Sequence, residues 1–510
     1  MQESGRYLPN ELLDKMLELR EEVFKDGMSI YERWKTNIER ENFLGGAKNL
    51  AFYIALRQRD IRDLQKELSF WGLSSLGRLE SRTMSTIDAV ISTLARITGR
   101  KVEGIDYPFD DSFFIGHAKL QEMAQKIFGH SESDRNTAIM VTVGEEAARK
   151  YSYVLDLVES GMNLIRINCA HDGPEVWKKI IENVRRAEKE SGKSCRVSAD
   201  IAGPKARTRW ILSSNRQDRA TVGSYFFLSN KMEAAVTEEL DRIMGCSLPE
   251  ILDDVVIGDR VLYDDGVIEG EVREIREDGV LVQVTKTHEE RGVRFKVDKG
   301  LNFPNSQLKL ANITEADEKA LDFAVGNVDI INFSFVKNVK DMQRCIEAVD
   351  KRYKEGQVKP AVVAKIETLQ GIDNLPDIIA EAAGRVEFGV MIARGDLAVE
   401  TGYLRLAELQ QQILWICEAA DVPVIWATQV LDQMVKSGIP SRAEVTDAAE
   451  GAARAECVML NRGEHLVDTV RFLDELLVRM DSNVYKKSPR LRALNIAKKV
   501  ELNAAEDGEE

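Results

Sequence analysis

The sequence predicts an α/β protein: a closed (β/α)8 TIM barrel carrying an inserted small β-barrel lid and preceded by a helical region. Three observations support this. From Thr137 onward, short apolar runs alternate with helix-length stretches, the rhythm of a parallel sheet with helical crossovers. Eight such runs follow one another, and eight βα units close into a barrel, with a doubly wound open sheet as the alternative. The series is broken once, between about residues 209 and 300, where alternation and turn signals replace helix.

The elements follow in order. Residues 1–135 are expected to be helical, because Leu12, Leu13, Met16, Leu17, Val23 and Phe24, and later Ile87, Val90, Ile91, Leu94 and Ile97, recur at helical spacing. Residues 131–136 have turn composition and mark a boundary. The barrel takes residues 136–208 and 301–482, with strands expected around 138–143, 162–169, 195–200, 328–335, 361–366, 388–393, 422–427 and 456–460. Residues 209–300 form the insert. Within it the run from Arg260 reads as strand, tight turn at Asp265-Gly266, and strand. Residues 483–510 are charged and read as a frayed tail.

Composition bounds the function. A chain of 510 residues has ample length for a large core, and 44% hydrophobic with 30% charged residues is ordinary for a globular protein. The net charge of −15, without a basic stripe, argues against nucleic acid as a partner. No apolar run has the length of a membrane span and the first residues carry no signal segment, so a cytoplasmic enzyme is expected. The six cysteines lack metal-type spacing and read as small core residues in a reducing compartment.

Catalytic groups of a barrel stand where its strands end. Those positions hold Arg166, Asn168 and His171 after the second strand, and Asp200, Lys205 and Arg207 after the third. The fifth contributes Lys365 and Glu367, two apart and therefore on one side of the strand. The sixth contributes Arg394, Gly395 and Asp396, and the seventh Thr428 and Gln429. Two carboxylates among many cations fit a divalent metal held by Glu367 and Asp396, with Arg and Lys neutralising a transferring phosphoryl group. Mg2+, or Mn2+ in its place, suits such hard oxygen ligands. Blander readings exist for each residue: a structural Lys365–Glu367 ion pair, a hydrogen-bonded His171 at a helix start, a capping Thr428 hydroxyl. Trp415 and Trp426 read as core.

Residues 137 to about 480 resemble the barrel and lid of the pyruvate kinases. The resemblance rests on motifs in family order: residues 161–168, residues 200–207 with Gly203-Pro204, Tyr263-Asp264-Asp265-Gly266, residues 299–304, Asn332-Phe333-Ser334-Phe335, Ala364-Lys365-Ile366-Glu367, Ala393-Arg394-Gly395-Asp396, Ala427-Thr428-Gln429 and residues 441–445. It implies phosphoryl transfer from phosphoenolpyruvate to ADP, giving pyruvate and ATP. Glu367 and Asp396 would hold the divalent cation, and Lys365 would stabilise the phosphoryl group and the enolate. Arg166 would clamp the phosphoryl group, Thr428 would help protonate the methylene carbon, and the backbone at Gly395 and Asp396 would receive the substrate carboxylate. Arg207 and Lys299, with Asn168 and His171, would meet the nucleotide.

Departures from the family pattern sharpen the expectations. Most members ligate potassium at positions that here are Asn168, Ala170, Asp200 and Ile201, so two ligating oxygens are missing. Lys205 stands where glutamate is common, and its ammonium could replace the potassium charge; activity without K+ is therefore expected. The strand-eight motif, Met459-Leu460-Asn461-Arg462-Gly463-Glu464, also differs from the usual one. The usual C-terminal domain has no counterpart after residue 482, so sugar-phosphate activation there is not expected. A homo-oligomer is expected. The alternatives are a metal-dependent phosphoenolpyruvate or pyruvate lyase or aldolase, and a non-catalytic metabolite sensor.

Overall fold

A computed structural model describes residues 8–130, 135–214, 219–231, 240–306, 308–486 and 488–489. Its centre is a closed barrel of eight parallel strands. These are β1 (Ala138–Val143), β2 (Leu164–Asn168), β3 (Arg196–Ile201), β4 (Ile330–Phe333), β5 (Ala361–Ile366), β6 (Phe388–Ala393), β7 (Val424–Val430) and β8 (Cys457–Leu460). Each pairs with its chain neighbour and β8 pairs with β1, so no open edge remains. The expected strands fall on these eight within a few residues. They are legible because barrel strands are buried on both faces and so read as unbroken apolar runs.

Alternate residues of these strands fill the barrel interior: Met140, Leu164, Ile330, Val363, Met391, Ile425 and Met459 form one buried cluster. Three residues from outside the barrel join it, namely Ala124, Ile127 and Phe128 at the end of a preceding helix. Phe128 is fully buried. The barrel is thus plugged at its N-terminal face by the helical region.

That region contains five α-helices: α1 (Pro9–Lys35), α2 (Leu44–Arg57), α3 (Arg62–Phe70), α4 (Thr83–Thr98) and α5 (Asp110–Phe128). Leu12, Leu13, Met16 and Val23 of α1, and Ile87, Val90, Ile91 and Leu94 of α4, are buried as their spacing predicts. Phe24, which stacks on Phe52, and Ile97, in the last turn of α4, are exposed instead. Polar contacts anchor the region to the barrel's underside. Trp34 Nε1 donates to Asp377 (2.6 Å), Asn49 Nδ2 to the Ala419 carbonyl (2.8 Å) and Arg40 to the Ala383 carbonyl (2.9 Å).

The insert after β3 is a seven-stranded sheet running from Thr208–Ser213 to Leu301–Asn302. Its two edge strands are joined by an antiparallel bridge between Arg207 and Gly300 and by the Thr208 N–H on the Lys299 carbonyl (2.8 Å) and the Leu301 N–H on the Ala206 carbonyl (2.8 Å), so the sheet curls on itself as the expected small barrel does. The expected hairpin is present: Arg260–Tyr263 pairs antiparallel with Ile268–Arg276. Its turn takes left-handed backbone at Asp264, Asp265 and Gly266 (φ 51°, 56° and 86°).

The expected boundary at residues 131–136 lies mostly outside the described residues. The same holds for the tail from residue 490 on. Its beginning is docked, because Lys486 pairs with buried Glu456 and donates to the Arg454 carbonyl (2.7 Å). Among the described residues, no helix is long and apolar enough to cross a membrane. Of the six free cysteines, Cys169 is half-buried and the others are buried.

Candidate functional site at the C-terminal face of the barrel

The ends of β1 to β5 converge on one charged cluster. Lys365, the penultimate residue of β5, donates its ammonium to Ser334 Oγ (2.7 Å) and pairs with Asp200 Oδ1 (3.3 Å) and Glu367 Oε1 (3.1 Å). Asp200, next to last in β3, is 1% exposed and accepts two bonds from Arg166 of β2, one of them from Nε at 2.6 Å. Arg166 also donates to Thr142 Oγ1 on β1 (3.1 Å). Glu367 is buried, and its second oxygen accepts from the Phe335 backbone N–H (2.6 Å). Phe335 can aim that N–H because its backbone is left-handed, at φ 53°.

Burial and charge compete at each of these groups. Burial alone would raise the Asp200 carboxyl, but Arg166 and then Lys365 outweigh it and hold the group below its ordinary value. Burial would strip the Lys365 proton, yet Asp200 and Glu367 together raise that group above an ordinary lysine. Glu367 is pushed up, first by burial and then, against the pull of Lys365, by the negative charge of Asp396.

The other carboxylate belongs to a second element. Asp396 lies in the first turn of the helix Arg394–Thr401, which begins where β6 ends. Its Oδ1 accepts from the Lys205 ammonium (2.6 Å). Lys205 is therefore bonded to a candidate metal ligand, and Asp200, in the expected potassium pocket, is served by Arg166 and Lys365. Gly395 has to be small, since a Cβ there would come 3.1 Å from Thr428 Cγ2. Thr428 and Gln429 sit in a register shift between β7 and β8, with φ of 73° and 58°. For a β-branched residue this is a strained conformation. Arg394 holds it by donating Nη2 to the Thr428 carbonyl (2.7 Å) while pairing with Asp447 and stacking on the buried Trp426 ring at 4.5 Å. Trp426 is core, as expected; Trp415 is half-buried beside Arg57.

The candidate nucleotide residues are engaged locally. Arg207 donates to the Asp298 carbonyl (3.1 Å) and Lys299 pairs with Asp264 (3.0 Å), both within the insert. Asn168 Oδ1 accepts from the Ala170 N–H (3.2 Å), and His171 is exposed. These four are not drawn into the Lys365 cluster. A cleft separates the insert from the barrel loops beside them, lined by Lys205, Asn302, Phe335, Thr368 and Glu400. Sequence reasoning assigned no part to Glu400, Ser334 or Thr142. Ser334 lay within a recognised motif and was findable; Glu400 and Thr142 carried no local signal.

With this geometry in view, comparison with known proteins is decisive. Residues 134–466 match the family model described as pyruvate kinase, barrel domain. The chain belongs to the pyruvate kinase family. It is 31% identical over 356 residues to pyruvate kinase of Geobacillus stearothermophilus, covering 68% of this chain and 57% of that protein. It is 30% identical over 376 residues to pyruvate kinase 2 of Saccharomyces cerevisiae, covering 72% and 71%. A crystal structure of a pyruvate kinase from Cryptosporidium parvum superposes with a TM-score of 0.62 at 28% identity, covering 70% of this chain and 72% of that one. The chain thus spans a little over half the length of the first relative. Helices α1 to α5 fall outside the segment that matches the pyruvate kinase barrel model.

Proposed function

We propose that this chain catalyses phosphoryl transfer from phosphoenolpyruvate to ADP, yielding pyruvate and ATP. The observation that carries the reading is the Arg166–Asp200–Lys365–Glu367 cluster, facing Asp396 across the barrel mouth, in a chain of this family. Glu367 and Asp396 fit a divalent cation such as Mg2+ or Mn2+: both are hard oxygen donors, and their mutual repulsion favours a positive charge between them. Among the described residues, no cluster of three or more His, Cys, Asp or Glu side chains could hold a metal, which suits Mg2+, since it takes one or two carboxylates and completes its shell with substrate and water. When bound, the cation would neutralise charge on the phosphoryl group and the enol oxygen.

The chain's own residues account for the rest. Lys365 remains protonated despite burial and can stabilise the phosphoryl group in transfer and the enolate that follows, most strongly where water is excluded. Arg166, fixed by Asp200, presents its remaining donor capacity to the phosphoryl oxygens. The backbone N–H groups of Gly395 and Asp396 open a helix, a favourable place for the substrate carboxylate. Thr428 lies against Gly395 and can pass a proton to the methylene carbon through water. Arg207 and Lys299 would leave Asp298 and Asp264 to meet nucleotide phosphates, and Asn168 and His171 would approach the nucleotide from β2. Lys205 supplies a fixed positive charge on Asp396, which supports turnover without added K+.

A coupled assay of pyruvate from phosphoenolpyruvate, Mg2+ and ADP tests this, with Lys365→Met as control. The parent is expected to turn over and the variant to lose at least roughly 10²–10³-fold. Absence of pyruvate with every nucleoside diphosphate would refute the reading.

A further inference from the structure

The proposed reaction leaves the opposite, N-terminal face of the barrel unused, yet a second polar cavity is built there. It lies between the helical region and the starts of β6 and β7. Arg40, Lys119 and Lys126 line it, with Phe43 and Phe388 as apolar walls. Glu122 is its exposed acid. Three cations in one cavity run against the trend of a chain with net charge −15.

Asp421 completes the lining, two residues before Pro423 and β7, in left-handed backbone at φ 57°. Its Oδ1 is buried without a hydrogen-bond partner among the described residues. Such an orphan oxygen is costly and calls for an explanation. Loose packing does not supply one. A Cβ on Gly46 would meet the Ala420 carbonyl first and one on Gly116 the Ser81 carbonyl, so these glycines of α2 and α5 serve close backbone packing around Asp421. Burial, opposed by Lys119 and aided by Glu418, pushes the Asp421 carboxyl up to about 8. At neutral pH it can therefore donate as well as accept.

The cations differ in availability. Arg40 is spent on the Ala383 and Val386 carbonyls, and Lys126 pairs with Glu387. Lys119 influences Asp421 without forming an ion pair with it, and makes none among the described residues. Asp421 and an ammonium without an ion pair among the described residues thus line one cavity. We propose that this cavity binds a small hydroxy-carboxylate, its carboxylate on Lys119 beside Arg40 and its hydroxyl on Asp421. The inference is independent of the reaction at the other face.

Malate and succinate are suitable probes, being dicarboxylates that differ by one hydroxyl. Titration calorimetry on the full chain is expected to show malate saturating near ~1 mM, with succinate about tenfold weaker for want of the hydroxyl. Lys119→Glu should weaken both at least tenfold. Asp421→Ala should erase the preference for malate while leaving succinate binding in place. Lys119 forms no ion pair among the described residues, so its variant keeps the test decisive should Asp421→Ala fail to fold. No saturation by malate, equal affinity for the two acids, or binding indifferent to Lys119→Glu would each overturn the proposal.

Discussion

Replacing Asp200 by Asn changes almost nothing in shape and removes one negative charge where Arg166 and Lys365 converge. Arg166 would keep only the Thr142 hydroxyl, and Lys365 would keep Ser334 and Glu367. One carboxylate would then serve two buried cations, and an amide would turn a donor toward donors. Removing one partner of a buried ion pair costs about 3–5 kcal/mol, so urea unfolding at pH 7, followed by tryptophan fluorescence, should register a loss of that size. The pH dependence has a definite sign. Asp200 is held below its ordinary value, so its contribution is complete above the usual aspartate range and is lost as pH falls through the depressed folded value. Lys365 is raised, so its contribution is complete below the ordinary lysine value and is lost as pH rises through the folded one. The gap between parent and variant should therefore be widest near neutrality and narrow at both extremes. Without Asp200, burial gains on the Lys365 ammonium, and the alkaline limb of pyruvate formation should move to lower pH. A stability loss under about 1 kcal/mol together with an unmoved alkaline limb would refute this account of the cluster.

Thr428→Gly should relieve about 1–3 kcal/mol of backbone strain, offset by about 0.5–1 kcal/mol of chain entropy; stability in urea is expected to hold or rise while kcat falls roughly 10²-fold or more. Glu400 is pushed up to about 7, chiefly by burial. Because the folded chain then binds the extra proton, stability should decline as pH rises from the ordinary glutamate value to about 7, and Glu400→Gln should flatten that slope in urea melts across this range. The Lys205–Asp396 pair is partly exposed, so Lys205→Met should cost no more than about 1 kcal/mol.

What could be read in advance follows from what is local. The eight strands announce themselves because each is a short apolar run buried on both sides, and the site residues because strand ends are fixed by those runs. Lys365 and Glu367 needed only the two-residue period of a strand to be placed together, and the structure sets them 3.1 Å apart. Partners across the barrel mouth are a different matter. Nothing near Lys205 in sequence names Asp396, 191 positions on, as the acceptor of its ammonium. Phe128 reads as one more apolar helical residue, and only the closed barrel above it makes it a plug. Phe24 and Ile97 had the right period and are exposed all the same, Ile97 because α4 ends one residue later, which periodicity alone does not resolve.

The pairing of Lys205 with Asp396 also changes how the charges of the site should be counted. Had the lysine simply taken the place of a monovalent cation near Asn168, Asp200 would have been its natural counter-ion. Asp200 is instead saturated by Arg166 and Lys365, and Lys205 lies on the carboxylate expected to hold the divalent metal. The four cationic and anionic side chains around the barrel axis, Lys365 with Glu367 and Lys205 with Asp396, form two pairs, each joining a lysine to a metal-ligand candidate. A divalent cation entering between Glu367 and Asp396 must share each carboxylate with a lysine already there. Lys365 would keep Asp200 and Ser334 in that event, whereas Lys205 has only Asp396 among the contacts described for its ammonium.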